Sequence, residues 1–435
     1  MEQTPFDDKV DSPQPTSERK WPPNFYGKDV FFALLAWFTF ALDYGTDLRL
    51  MIQYQLDGEM VLFWLTFGFI AAPSFITGII STVWYNQTYK QDEQLYVAKK
   101  EDNPAKSEYK RKQRKSSRTM FALRVVLSFL QLGRIFRQIE YIYCILHSFR
   151  LQRCIRNTED EDQRKNLRIK EENLRHRAVN EKRDAAMLGL IDGFLESALQ
   201  LLLQLYLTIY LSLPLTFARV SSLCASLVST SLIHTSYYRA NRKANKNKYT
   251  VTYLSSAFYF LWRFFELAPR YLLLSLTCAL FTPWCFIALP VHIVFVYILY
   301  KSQNPELLGV CPEYKNYTCI SSILKQLFIF LISYLGLLSF VNLKEGDTKR
   351  ITAIFYIVFY TENVIMALLV LWYSISRDEV TGWTYSLCIM PIGLVCHMIF
   401  AAIFYKCFHP KLRKSRYLMR YNYLTSNISF KYFQV

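Results

Sequence analysis

Glycine is scarce in this chain, 13 residues in 435, and nowhere do glycines gather into a loop that could cradle a phosphate. No serine sits in a nucleophile elbow, and the histidines and cysteines never fall at zinc-binding spacing. These absences remove the usual routes to nucleotide, acyl-transfer and metal chemistry, so enzymatic activity has no candidate residue and neither a cofactor nor a metal is expected. His234, His292 and His397 each stand alone in an apolar run, where an imidazole reads as a hydrogen-bonding group facing other helices. The first 28 residues lack a positively charged leader and a small-residue cleavage site, so no cleaved signal peptide is expected. The last thirty residues contain no Asp or Glu. No aromatic-interleaved nucleic-acid module accompanies the basic segments, so nucleic acid is not an expected partner.

Apolar runs of membrane-spanning length are what the chain has in abundance. Hydrophobic residues make up 52% and aromatics 17%, and the runs recur between Val30 and Cys407 without the alternation of barrel strands. The expected fold class is therefore an all-α polytopic membrane protein, because helices satisfy their own backbone in lipid. The formal charge of +17 concentrates between the runs, in clusters such as Lys110–Arg118 and Arg239–Lys248, which marks cytoplasmic loops able to lie on anionic lipid.

Taken in order, residues 1–28 form a polar, disordered cytoplasmic tail, and the transmembrane domain covers 29–408. Spans are expected at 29–50 and 60–85, followed by a basic cytoplasmic loop, 86–119. Residues 120–150 are moderately apolar but hold Arg124, Arg134, Arg137 and Glu140, with cytoplasmic flanks on both sides, and so read as an embedded half-segment. A charged cytoplasmic stretch, 151–185, precedes a helical pair, 186–211 and 217–238, and a third basic loop, 239–250. Parity then decides the remainder. The basic tail, 409–435, belongs inside, which requires a second half-segment at 251–267 before spans at 271–300, 321–341, 351–374 and 384–408. The count is about eight transmembrane helices plus two half-segments, with both termini cytoplasmic and an extracellular loop at 301–320. That loop holds Cys311 and Cys319, expected to form a disulfide in an oxidising compartment, and the sequon at Asn316.

Functional candidates begin with the stretch 188–210, long enough to cross a bilayer yet carrying Asp192, Glu196, Gln200 and Gln204. Steps of four place them on one drifting stripe of a helix. An acid at mid-membrane costs about 3 kcal/mol unless it meets a partner or water. Asp43 and Asp47 add two acids to the first span. Arg134 and Arg137 in one half-segment, and Arg263 and Arg270 in the other, are placed to meet them as one polar seam. Arg263, Glu266 and Arg270 share a helical face if the turn survives Pro269. The seam reads either as ion pairs locking the bundle or as lipid-path and gating charges.

Three motifs narrow the choice: Asp43-Tyr44-Gly45-Thr46-Asp47-Leu48, Glu196-Ser197-Ala198-Leu199-Gln200-Leu201, and Trp262-Arg263 through Arg270. Their order and sequence resemble the XK-related family, over most of residues 29–408. The resemblance implies eight spanning helices with two embedded pieces, residence in the plasma membrane and, for several members, phospholipid scrambling that exposes phosphatidylserine on dying cells after caspase cleavage of a tail. Other members act in membrane complexes. In this chain Asp8-Lys9-Val10-Asp11 followed by Ser12 fits a caspase cleavage site: an acid before the cut, another four positions upstream, a small residue after. The expected function is therefore ATP-independent movement of phospholipids, activated by a caspase acting after Asp11 in apoptosis. Two alternatives stay open, a non-scrambling scaffold that recruits a cytosolic partner through 151–183 and a secondary transporter or channel for a small solute. A homodimer or a single-span companion also stays open.

Overall fold

The computed structural model describes residues 22–101, 119–128, 132–212, 214–215, 217–245, 250–302, 319–342, 348–376 and 389–408. Asp8, Asp11, Ser12, Cys311, Asn316 and the carboxyl tail lie outside the described residues, as do the side chains of Asp43, Arg134 and Cys319. The described elements are helical: α1 (Gly27–Leu56), α2 (Met60–Glu101), α3 (Thr119–Ser128), α4 (Gly133–Asn157), α5 (Glu161–Leu195), α6 (Ser197–Tyr210), α7 (Phe217–Ala244), α8 (Tyr253–Leu280), α9 (Thr282–Ser302), α10 (Cys319–Leu335), α11 (Lys349–Ser376) and α12 (Ile389–Ile403), the last closed by a wider turn at Phe404–Phe408. Five stretches among them are long and apolar enough to cross a membrane: Met60–Asn86, Glu161–Tyr210, Thr282–Ser302, Lys349–Ser376 and Met390–Phe408. The protein is a multi-pass helical membrane protein.

Local sequence explains the ends. Gly58, at φ +77°, reverses the chain between α1 and α2, a conformation glycine adopts without a steric penalty. Asp160 caps α5 by accepting from the Asp162 amide, and Thr252 caps α8 by accepting from Ser255. The turn from α3 to α4 is tight: a Cβ on Gly133 would come within 2.9 Å of the Ser128 Cα. Residues 120–150, expected as an embedded or re-entrant hairpin, hold two helices, α3 and the first part of α4.

Helix α8 departs from expectation. It runs without interruption from Tyr253 to Leu280 through Pro269, so 251–267 is no separate half-segment and the break falls at Phe281. Helix α12 crosses α8 at this point through Gly393, which leaves room for the Pro269 ring; a Cβ there would meet it at 2.6 Å. Pro283 sits at the second residue of α9, where its missing amide costs nothing, while Pro290 lies inside that helix.

The re-entrant piece is α10 instead. Tyr297, near the end of α9, donates to Gln326 in α10 at 2.6 Å. His292, deeper along α9, reaches the Gly336 carbonyl at 3.2 Å, and Tyr300, back at the end of α9, holds both backbone groups of Val341 at 2.9 and 3.0 Å. The chain thus enters beside the end of α9, turns after Leu335, and returns without helix over residues 336–342 to Asn342, whose carbonyl accepts from Tyr237 near the end of α7. Ends then sort into two faces. α1, α8 and α11 start, and α7, α9 and α12 finish, at the face carrying Lys28, Arg239 and Lys243; Phe32 stacks on Tyr253, and Ser255 donates to the Phe408 carbonyl. At the opposite face Ile209, Leu276 and Val370 cluster. Ser302 and Cys319 therefore flank 303–318 on the same face as the 239–250 loop. This corrects the expectation of opposite sides, and it removes the compartment argument for a Cys311–Cys319 disulfide.

Two measurements follow from this course. Cysteines introduced at Ser302 and Thr250 in a cysteine-free background should react with an impermeant maleimide from the same side of the membrane; reaction from opposite sides would refute the re-entrant path of α10. Gly133→Ala should lower stability by about 1–3 kcal/mol, since the Ser128 backbone must move, read as a lower melting temperature in detergent.

Candidate functional site: an acid-lined cavity between α1, α2 and α5

Three helices and one hairpin turn enclose a cavity of about 630 Å³. Helix α1 contributes Leu34, Trp37, Phe38, Ala41, Tyr44 and Gly45, steps of three and four that form one apolar and aromatic face. Helix α2 contributes Ser74, Thr77, Gly78 and Ser81 at the same spacing; their small side chains leave the room. Leu132 and Gly133 of the hairpin turn close one end. Helix α5 supplies Leu188, Asp192 and Glu196, so the acids on the wall are one turn apart. Both are almost fully buried, at 7% and 6% exposure.

Glu196 marks a break. Its backbone leaves the helical region (φ −104°, ψ −80°), separating α5 from α6, although its amide still reaches the Asp192 carbonyl and its carbonyl still serves Gln200. The stripe is therefore bent at its second acid. Gln200 is buried in α6, and Gln204 accepts from Ser222 of α7 at 3.4 Å. Neither belongs to the cavity wall. Asp47 is buried on α1, next to the Tyr44–Gly45 pair that lines the cavity, and Asp43 precedes that pair.

The arginines have their own partners. Arg137 on α4, 2% exposed, pairs with Glu181 at 3.0 Å and Asp184 at 3.2 Å, donates to Ser81 Oγ on the cavity wall, and lies 3.9 Å over the Tyr85 ring. Glu140 is taken by Arg124 of α3 and by Arg177 of α5. Burying such ions is costly, and these side chains offset the cost by meeting opposite charges with several hydrogen bonds each.

Arg263 and Arg270 lie in a different network. Arg263 pairs with Glu266 at 2.7 Å and donates to Tyr259, Ser339 and Tyr356. Tyr356 and Ser339 in turn donate to the other Glu266 oxygen. Arg270 pairs with Glu362 at 2.8 Å, donates to Asn363, and bonds the Leu337 carbonyl at 3.0 Å. His292 bridges Glu362 and the Gly336 carbonyl. Arg263, Glu266 and Arg270 do share one face of α8, and that face holds the unwound residues 336–342 in place. The expected single seam is two sites: an acid-lined cavity beside α1 and a tethering network around α10.

The family follows from the whole length of the chain. A model of the XK-related protein family matches residues 31–410. The chain belongs to the XK-related family. Among its relatives is an XK-related protein 8 from Gasterosteus aculeatus, 26% identical over 398 residues, covering 88% of this chain and 84% of the relative. An XK-related protein 8 from Tetraodon nigroviridis is 23% identical over 396 residues, covering 89% and 85%. In this XK-related chain the first two motifs meet: Tyr44 and Gly45 of one and Glu196 of the other face the same cavity. The third serves the α10 network.

Sequence reasoning missed Glu362, Asn363, Glu181, Asp184 and Ser81. Glu362 carried a readable signal, a lone acid inside the apolar run 351–374 with no local cation. Ser81 carried none, since a serine in a span is ordinary.

Arg270→Met should destabilise the protein by about 3 kcal/mol, because it strands the Glu362 charge and the Leu337 carbonyl together. Glu362→Gln in the same background should recover part of the loss, measured by thermal unfolding in detergent.

Proposed function

We propose that this chain is a phospholipid scramblase of the XK-related type, moving lipids such as phosphatidylserine between leaflets without ATP at the plasma membrane. The observation that carries this reading is the cavity where the first two family motifs converge: a large, mostly apolar space bordered by Asp192 and Glu196 on one side and by the aromatic face of α1 on the other. The two carboxyl groups would give a headgroup polar partners along this wall, while its acyl chains stay in the surrounding hydrocarbon. Movement down a lipid gradient is spontaneous, so no nucleotide site is required.

In the topology that accompanies this reading, eight crossings are made by α1, α2, the α5–α6 pair, α7, α8, α9, α11 and α12. The α3–α4 turn and α10 are the two embedded pieces, and both termini are cytoplasmic. Caspase cleavage after Asp11 would act on a tail whose root is clamped. Arg175 of α5 donates to the Pro22 carbonyl at 3.2 Å and to Asn24 at 2.7 Å, Phe25 is buried against Tyr141, and Asp29 pairs with Lys243. Residues 1–11 would then leave while the root keeps its place on α4, α5 and α7, and their loss would bias the bundle toward the open state.

Full-length protein in vesicles carrying fluorescent lipid tests the proposal. Protein cleaved after Asp11 should flip lipid faster than both uncleaved protein and empty vesicles; a rate equal to empty vesicles refutes it. Glu196→Gln should slow flipping severalfold with an unchanged melting temperature, and unchanged flux with a lower melting temperature would make the acid structural. In cells, Asp11→Ala should abolish phosphatidylserine exposure on caspase activation.

A further inference from the structure

Most cations near the bundle core lie on a carboxylate: Arg124 on Glu140, Arg137 on Glu181 and Asp184, Arg175 on Glu171, Arg263 on Glu266, Arg270 on Glu362 and Lys243 on Asp29. Lys28, exposed at the surface, and the half-buried Arg239 depart from this pattern. Lys28 Nζ lies 5.1 Å from the centre of the Tyr253 ring, and the Arg239 guanidinium lies 4.4 Å from the same centre. Their described contacts are to rings: Tyr26 and Tyr253 for Lys28, Phe32 and Tyr253 for Arg239. The nearby acid, Asp29, is already engaged by Lys243 at 3.0 Å and by the Tyr26 amide at 2.8 Å. Two like charges drawn to one ring repel each other, and the ring attraction is worth only about 0.5–1 kcal/mol at an exposed site. An anion between them would remove that conflict.

The surroundings specify the anion. Lys28 begins α1, Arg239 lies in the last turns of α7 and Tyr253 begins α8, so the three helix ends meet here on the basic face. Beside the cations the surface turns apolar at once, with Phe31, Phe32 and Leu254 exposed by 61%, 41% and 59%. Cations bordering an apolar, lipid-facing surface match the two halves of an anionic phospholipid: phosphate oxygens for the guanidinium and ammonium, acyl chain for Phe31 and Leu254. The geometry points to a binding site for a phosphate group, that of an anionic phospholipid headgroup, held by Arg239 and Lys28 beside Tyr253 at the junction of α1, α7 and α8. This site stands apart from the acid-lined cavity and does not depend on scrambling. Its occupant would tie the start of α1 to α8 beside the Phe32–Tyr253 stack, whose ring centres are 4.9 Å apart.

The test is thermal unfolding of the full-length protein in detergent with phosphatidylserine, phosphatidylcholine or inorganic phosphate added in parallel. Phosphatidylserine should raise the melting temperature by about 3 °C or more, as expected for ligand well above its dissociation constant, while phosphatidylcholine leaves it unchanged. Lys28→Gln with Arg239→Gln should abolish that rise, and the charge-preserving pair Lys28→Arg with Arg239→Lys should retain it, which separates loss of the site from loss of fold. An equal rise with phosphatidylcholine, no rise with phosphatidylserine, or a rise that survives the double glutamine change would each overturn the site. An equal rise with inorganic phosphate, lost in the double glutamine variant, would overturn the lipid as its source and leave free phosphate as the ligand.

Discussion

Backbone left without helix inside a helical bundle has to find its hydrogen bonds elsewhere, and residues 336–342 show how this chain meets that demand. In hydrocarbon an unpaired carbonyl or amide costs several kcal/mol. Here the Gly336 carbonyl takes His292, the Leu337 carbonyl takes Arg270, Val341 takes Tyr300 through both of its backbone groups, and Asn342 takes Tyr237. Each donor comes from a helix that has other reasons to be where it is. The return of α10, the direction of α11 and the shared face of the loops all depend on those bonds.

The same demand explains where the charges went. Arg270 is charged, 1% exposed, and tied to Glu362, so it brings a paired charge to a place that also needs a donor. Arg263 with Glu266 does the same for Ser339, whose hydroxyl touches both. Near the hairpin, Arg137 joins α4 to α5 and touches Ser81 of α2. These cations brace elements that lack continuous helical bonding or that meet at an angle. The acids Asp192 and Glu196 occupy a different setting, the wall of a cavity opposite the aromatic rings of α1. The bracing charges and the cavity acids therefore occupy separate parts of one bundle.

At the basic face, three independent contacts converge on the first helix: the buried Phe25, the Asp29–Lys243 pair and the Phe32–Tyr253 stack. All lie within the first turns of α1 or just before it. Farther along, α1 exposes much of its surface, with Phe38 and Leu42 more than half exposed.

The helical class, the multi-pass character and the family were legible in the residues, because long apolar runs and charged loops are properties of composition along the chain. The Asp192–Glu196 stripe was legible too, since periodicity alone puts both on one face. The pairing of Arg263 with Glu266 followed from spacing. Three features depended on tertiary contacts. Parity called for a half-segment ending before Pro269, whereas α8 runs on through that residue, with Gly393 of another helix leaving room for the ring. The apolar run 321–341 predicted a crossing, whereas its last residues unwind, because side chains 41 to 105 positions distant in sequence satisfy their backbone. The arginines were expected to meet Asp43, Asp47, Asp192 and Glu196, but they pair with Glu181, Asp184, Glu266 and Glu362. Local sequence determined which segments are helical and which faces are polar. Only the packed structure decided which helix continues, which one turns back and which charges meet, because each of those outcomes depends on groups contributed by another helix.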